Sequence, residues 1–115
     1  MSGSRSRRKG HSFEREIARY LRDQGFAEAK RGWQSRDGRE QPDVTLDGCW
    51  LECKRLKVVQ WSDVLRALDQ AELAEGDRGR YRVAVIKRDR QAEPIVCMTL
   101  EEWTELYREA RNRWQ

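Results

Sequence analysis

Side chains that usually hold zinc are scarce in this sequence. Its 115 residues include one histidine and three cysteines, and Cys49, Cys53 and Cys97 have no metal-binding spacing with His11. A zinc site of the usual nitrogen and sulfur ligands is therefore not indicated. We expect all three thiols to be reduced and to act as small apolar side chains in a cytosolic protein.

Long apolar runs are also missing. No stretch is long enough to cross a membrane, and the N-terminus lacks the apolar central region of a signal peptide. No internal repeat is present either. These absences predict a cytoplasmic protein that has no membrane partner.

Charged residues, in contrast, are abundant. They make up 38% of the chain and leave a formal net charge of +4, so the surface is heavily charged and basic on balance. That balance fits an anionic partner such as nucleic acid. A length of 115 residues predicts one domain with a modest core.

Residues that could contact DNA phosphates lie in two polar segments. Residues 1–9 contain Ser, Gly and Arg and nothing to bury, which predicts a disordered basic tail ahead of a domain at 10–115. A polar loop at 33–41 leads into the segment described next. A solubilising tail and an ordinary solvated loop are the alternatives. The candidates for phosphate contacts are Arg7, Arg8, Lys9, Ser35 and Arg36.

The strongest local signal lies in residues 42–54, PDVTLDGCWLECK. Asp47-Gly48 is typical of a two-residue hairpin turn. Alternation along the strands then places Asp43 opposite Glu52, with Lys54 on the same face. Opposed carboxylates repel each other unless they share a cation. One or two carboxylates are also the usual protein contribution to a Mg²⁺ site that includes water and substrate phosphate.

This pattern points to phosphodiester hydrolysis. A metal ion between two carboxylates can lower the pKa of a bound water and polarise a phosphoryl oxygen. A lysine beside it can orient that water or stabilise charge on the phosphate. The alternative is a surface salt bridge of Lys54 with Glu52 and Asp43, which would stabilise the protein little.

Periodicity and turn signals predict three helices and five strands. The helices cover residues 12–24, residues 62–75 with Ser62 as the cap, and a segment that Thr99 begins in a capping box with Glu102. The strands cover 27–31, the two arms of the hairpin, 81–88 and 95–98. The order α-β-β-β-α-β-β-α predicts an α/β fold with a mixed sheet flanked by helices.

Two of the helices carry residues that need partners. Glu14 lies at the edge of the inward face of the first helix, where either the metal site or a cation such as Arg31 would have to pair with it. The last helix is expected to bury one side against the sheet. That side is formed by Leu100, Trp103, Leu106, Tyr107, Ala110 and Trp114.

Together these residues form a recognisable pattern. Pro42-Asp43 followed by Glu52-Cys53-Lys54 resembles the motif of the PD-(D/E)xK nuclease superfamily. Lys9-Gly10 followed by Glu14-Arg15 resembles the opening of the archaeal-type and phage-type Holliday junction resolvases. The likeness extends from residue 9 to about residue 103 and implies a restriction-endonuclease-like core.

The resemblance also implies roles for individual residues. Asp43 and Glu52 would coordinate Mg²⁺ or Mn²⁺, with the carbonyl oxygen of Cys53 as a possible further ligand. Lys54 would position the attacking water and stabilise the pentacovalent phosphorus. Glu14 would complete the acidic cluster, directly or through water.

Further expectations concern DNA and assembly. Ser35 is the nearest match to a functional loop serine, and Gln70 resembles a helical glutamine that holds the lysine or a phosphate, unless it is only a helix-edge amide. The resemblance implies a homodimer acting on four-way DNA junctions in a bacterial, archaeal or phage-infected cell. Trp50, Trp61 and the C-terminal helix are candidate dimer surfaces. The alternatives are a restriction-like, repair, flap or nicking nuclease, and a DNA-binding module without catalysis.

Overall fold

A computed structural model describes residues 2–32, 41–75 and 81–114, and describes side chains for 8–32, 41–71 and 81–114. The elements follow the predicted order. They are α1 (Ser2–Asp23), β1 (Lys30–Arg31), β2 (Val44–Leu46), β3 (Cys49–Leu56), α2 (Trp61–Glu75), β4 (Tyr81–Arg88), β5 (Ile95–Cys97) and α3 (Leu100–Arg113). The fold is the predicted α/β class, consistent with a restriction-endonuclease-like core.

The five strands form one mixed sheet in the order β1-β2-β3-β4-β5. Among the strands in the described part of the chain, only β3 and β4 pair in parallel, and α2 lies between them in the chain. The β2–β3 hairpin has the predicted register, with Thr45 opposite Trp50 and Leu46 opposite Cys49. Gly48 has a φ of 80°, which explains the need for glycine in this two-residue turn.

The sheet has a separate apolar cluster on each face. One cluster packs α1 on the sheet through Phe13 and Ile17 against Val44, Leu51 and Val85. The other packs α2 on the opposite face and contains Val64, Ala67, Leu68, Ala84 and Ile86. Because successive strand residues point to opposite faces, β3 and β4 contribute to both sides of the sheet. Within the described residues, no helix is long and apolar enough to span a bilayer.

The first helix ends where the sequence predicts and begins earlier. Gly25 has a φ of 106°, and the N–H groups of Gly25 and Phe26 donate to the carbonyls of Arg22 and Leu21, which is a Schellman termination. The helix starts at Ser2 rather than near Ser12, so residues 2–9, predicted to be disordered, belong to α1. Once the packed part is helical, each added residue gains a hydrogen bond, and arginine is a good helix former.

Smaller corrections concern element ends. The first strand is only Lys30–Arg31, and α2 begins at Trp61, so that Ser62 is not its cap. Gln60 and Asp63 bond reciprocally instead: the Gln60 N–H donates to Asp63 Oδ2 at 2.8 Å, and the Asp63 N–H donates to the Gln60 carbonyl at 2.9 Å. This arrangement satisfies the N–H group of Gln60, just before the helix, and that of Asp63 in its first turn.

The predicted burial of α3 is wrong. The Thr99 hydroxyl accepts the Glu102 N–H at 3.2 Å, as expected for the start of the helix, yet no residue of α3 is buried. Its acidic side faces the sheet instead: the Glu102 carboxylate accepts the Arg82 N–H at 2.7 Å, and Tyr81 donates to Glu109 at 2.6 Å. Because these polar contacts lie on the sheet side of α3, the apolar side that was expected to be buried faces away from the sheet.

Phe13 and Phe26 offer a matched test of the α1 cluster, because Phe13 is 0% exposed and Phe26 is 47% exposed. We expect Phe13→Ala to lower the free energy of unfolding by about 3–5 kcal/mol through lost burial and a new cavity. Phe26→Ala should cost about 1 kcal/mol or less. Urea denaturation measures both, and equal losses would contradict the packing described.

Candidate active site

The β2–β3 hairpin brings Asp43 and Glu52 together. Asp43 precedes β2, and its Oδ2 accepts the backbone N–H of Cys53 at 2.9 Å. Its own N–H donates to the Leu51 carbonyl at 2.9 Å. These two bonds fix Asp43 beside Glu52, whose pKa the neighbouring Asp43 carboxyl raises. The predicted opposition of the two carboxyl groups is therefore present.

Glu52 is the most unusual of the acidic residues. It is 3% exposed and is the one buried charged or polar residue in the described part of the chain. Burial, followed by the charge of Asp43, raises the pKa of Glu52 from 4.5 to about 8. The Trp50 hydrogen bond and the Lys54 charge act in the opposite direction. With a pKa of about 8, the Glu52 carboxyl is therefore mainly protonated at neutral pH in the absence of a cation.

Trp50 has a role that the sequence reading missed. Its indole Nε1 donates to Glu52 Oε1 at 2.9 Å, and its side chain is 4% exposed. Burial removes Trp50 from the candidate dimer surfaces. The available signal was its position two residues before Glu52 on the same strand face, which lets a long donor reach the carboxylate.

Glu14 approaches the pair from α1. Its Oε1 accepts a hydrogen bond from Arg31 Nε at 3.0 Å. The sequence left open the metal site or a cation such as Arg31 as its partner, and the structure shows Arg31. Burial and the nearby charge of Asp43 raise the pKa of Glu14, and Arg31 opposes that rise. The charges of Asp43, Glu14 and Glu52 all act with burial to raise the pKa of the Cys53 thiol. All three carboxylates thus lie near enough to Cys53 to act on its thiol, with Glu14 bonded to Arg31 rather than to the other two.

Lys54 lies two residues beyond Glu52 on the same face of β3 and is half-buried. The cluster offers the carboxylate oxygens that Mg²⁺ and Mn²⁺ prefer, and a cation would relieve the repulsion that raises the pKa of Glu52. The donor set therefore fits a hard divalent cation. Among the described residues, no group of three or more His, Cys, Asp or Glu side chains is placed so that it could hold a metal ion, so a cation held by Asp43 and Glu52 would need water and substrate oxygens for the rest of its coordination.

The predicted DNA contacts are scattered. Arg8 is exposed and Gln70 is exposed on α2, whereas Lys9 donates to Asp89 Oδ2 at 2.7 Å. The backbone of Arg7 lies in α1, and its side chain is outside the described residues, as are Ser35 and Arg36. Arg55 also bonds Asp89, at 3.1 Å. The sequence reading missed this basic cluster because Asp89 is 80 residues from Lys9.

Comparison with known proteins gives one family match. The hairpin and its sheet are first of all consistent with a restriction-endonuclease-like α/β core. Residues 5–59 match the family model described as archaeal Holliday junction resolvase (Hjc), which confirms the resemblance to that family of PD-(D/E)xK nucleases. No curated protein and no solved structure shows a significant match to the chain.

The matched segment contains the whole acidic cluster. Glu14, Asp43, Glu52 and Lys54 all lie within residues 5–59. The match ends before α2 and is shorter than the likeness drawn from the motifs, which extended to about residue 103. At the family level it supports a nuclease similar to the Holliday junction resolvases.

The raised pKa of Glu52 makes the stability of the metal-free protein depend on pH. The folded-state pKa of about 8 lies above the ordinary value of 4.5, so this group contributes stability that is fully present below pH 4.5. That contribution is lost as the pH rises through about 8. We expect denaturation in EDTA to show this decline, and Glu52→Gln to flatten it. A decline of the same size in both proteins would assign it to other groups.

Removing the indole donor should move that decline. The Trp50 hydrogen bond lowers the pKa of Glu52, so Trp50→Phe should raise this pKa further and shift the midpoint of the stability decline to higher pH. Trp61→Phe is the matched control, because Trp61 is exposed on α2. The measurement is the same EDTA denaturation series, and an unmoved midpoint in Trp50→Phe would show that the bond does not control Glu52.

Proposed function

We propose that the protein is a metal-dependent, structure-selective DNA endonuclease that cuts four-way junctions in the cytoplasm. One observation carries the proposal: the buried carboxyl of Glu52 lies beside the half-buried Asp43, with Lys54 on the same face, inside the segment that matches the archaeal resolvase family. A buried carboxyl next to a second one destabilises the fold unless a cation compensates it. An unfavourable arrangement of carboxyl groups of this kind is typical of a functional site.

The carboxylates of Asp43 and Glu52 would hold Mg²⁺ or Mn²⁺, with the Cys53 carbonyl as a further ligand and Glu14 acting directly or through water. A cation held there would supply a water of lowered pKa and would polarise the phosphoryl oxygen. Glu52 must lose its proton to act as a ligand, so metal uptake releases a proton near neutral pH.

Other side chains prepare the reaction. The indole N–H of Trp50 holds Oε1 of Glu52 and so orients the carboxylate toward Asp43. The guanidinium group of Arg31 likewise holds Oε1 of Glu14. The ammonium group of Lys54 would orient the attacking water and stabilise charge on the phosphate as the bond to the leaving oxygen lengthens. In-line attack by water leaves a 5′-phosphate and requires no covalent intermediate with the protein.

DNA affinity would come mainly from phosphate contacts and fall steeply with salt. The candidates are Arg7, Arg8, Lys9, Ser35, Arg36 and Gln70. Selection of a junction would depend on the shape of the DNA rather than on base sequence. A homodimer would supply two active sites, related by a two-fold axis, for the two opposed strands of a four-way junction.

The first test compares a labelled four-way junction with a linear duplex of the same sequence. We expect paired, symmetric nicks in the junction with Mg²⁺ and none with EDTA. Asp43→Asn should abolish these nicks, and Lys54→Ala should slow them about 10²- to 10³-fold, because it removes charge stabilisation at the phosphate. Gel analysis of the nicked strands gives both results.

Asp47→Asn is the matched control. It makes the same chemical change in the same hairpin, at an exposed turn residue where Asn-Gly is equally suitable, and it should leave cleavage unchanged. Equal cutting of duplex and junction would keep the nuclease and reject junction selectivity. Junction binding without cleavage under any divalent metal would reject catalysis and favour a binding module.

A further inference from the structure

At the carboxyl ends of β3 and β4, the basic side chains on the α1 side of the sheet are neutralised within the protein. Asp89 accepts hydrogen bonds from Lys9 at 2.7 Å and from Arg55 at 3.1 Å. Lys87 Nζ lies 3.8 Å from Glu16 Oε2. Arg55 and Lys87 share this side with the α1 cluster, because they follow its β3 and β4 members at two-residue spacing. These cations therefore already have their counterions.

The opposite side of the sheet, which carries Glu52, has cations without counterions. Lys54 follows Glu52 on the same face and pairs with the residue two positions before Arg88, so Arg88 shares that face. Lys57 and Arg90 lie just beyond the two strands, and both are exposed, as is Arg88. Within the described part of the chain, Lys57, Arg88 and Arg90, here called the strand-end cations, form no ion pair. The positive charge that the protein leaves uncompensated here therefore lies on the side of the acidic cluster.

A well-ordered turn after β4 holds two of the strand-end cations. The Gln91 N–H donates to the Arg88 carbonyl at 2.9 Å, and the Gln91 side chain accepts the Arg88 N–H at 2.9 Å. The Asp89 N–H continues the sheet by donating to the Leu56 carbonyl at 2.9 Å. Arg90 has a φ of 71°, the one positive φ of a non-glycine residue in the described chain. Glycine or asparagine usually occupies this place in a type II turn, so an arginine in this strained conformation points to a functional role.

We propose that the strand-end cations bind phosphate groups of the DNA strand that is cut, next to the phosphate that Lys54 faces. Adjacent strands are about 4.8 Å apart and two residues span about 6.6 Å, so the Cα atoms of Lys54 and Arg88 lie about 8 Å apart. Side chains of that length and spacing reach neighbouring phosphates, and a guanidinium group matches phosphate oxygens in a bidentate manner. The inference rests on the proposed function and adds to it a phosphate-binding turn that the sequence did not indicate.

The experiment measures binding of the full chain to a labelled four-way junction in EDTA over a series of KCl concentrations. We expect Arg88→Ala to weaken binding about tenfold and to reduce the slope of log K against log salt by about 0.9. Arg88→Lys should keep the slope, because it keeps the charge. Arg19→Ala is the matched control. Arg19 is exposed on α1, so its loss changes the net charge equally, and binding should stay within about twofold of wild type.

Arg90 allows a second test, in which stability and DNA binding are separated. Glycine adopts a positive φ without steric cost, so Arg90→Gly should have a urea midpoint no lower than that of wild type. The same change removes a phosphate contact, so junction binding should weaken and the salt slope should fall as in Arg88→Ala. A turn arginine with a structural role alone would give the stability result without the loss of binding.

Several outcomes would overturn the inference. A wild type that does not bind the junction would do so, as would equal effects of Arg88→Ala and Arg19→Ala, which would reduce the effect to net charge. An unchanged salt slope in both Arg88→Ala and Arg90→Gly would also reject it. Binding in EDTA requires neither metal nor cleavage, so a failure of the nuclease proposal is measured separately: binding that depends on Arg88 without nicking in Mg²⁺ would reject catalysis and keep the phosphate-binding turn.

Discussion

The candidate site depends on one unfavourable interaction, the burial of the Glu52 carboxyl against Asp43. Burial removes the Glu52 carboxyl from water, and the half-buried Asp43 brings a like charge close to it. The surroundings compensate this cost with directed donors: the Cys53 N–H for Asp43, the Trp50 indole for Glu52 and the Arg31 side chain for Glu14. Each of these donors fixes the orientation of one carboxylate, which a flexible surface side chain would not keep.

The two helix layers make that arrangement possible. The α1 cluster fixes β2 and β3 from one face, and α2 covers β3 and β4 from the other. Glu52 is thereby kept away from bulk water, while Glu14 reaches Asp43 from the α1 side. The Asp89 carboxylate adds a polar tie, because it binds both Lys9 of α1 and Arg55 of β3. Rigid surroundings of this kind preorganise the side chains of a site.

Sequence reasoning succeeded where the signal is local. The Asp47-Gly48 turn, the termination at Gly25 and the Thr99 cap each depend on residues within a few positions of one another, and all three are present. It failed where the structure depends on contacts between residues that lie far apart in the sequence. The orientation of α3 depends on Tyr81 and Arg82 of β4, and no periodicity in residues 100–113 reveals those partners.

The same limit applies to the site itself. The opposition of Asp43 and Glu52 follows from the hairpin register and was predictable. The choice of Arg31 as the partner of Glu14 required knowing where β1 lies. The indole bond of Trp50 required knowing that α2 buries that face, since an exposed tryptophan would have used water as its acceptor.

The burial of Trp50 also has an optical consequence. Trp61, Trp103 and Trp114 are exposed, whereas Trp50 lies in the interior with its indole N–H bonded to Glu52. A shielded indole emits at shorter wavelength than a hydrated one, and a neighbouring carboxyl group alters its emission as that group gains or loses a proton. Trp50 is thus an intrinsic fluorophore bonded to Glu52. A change in the ionisation of Glu52 should therefore change the fluorescence of Trp50.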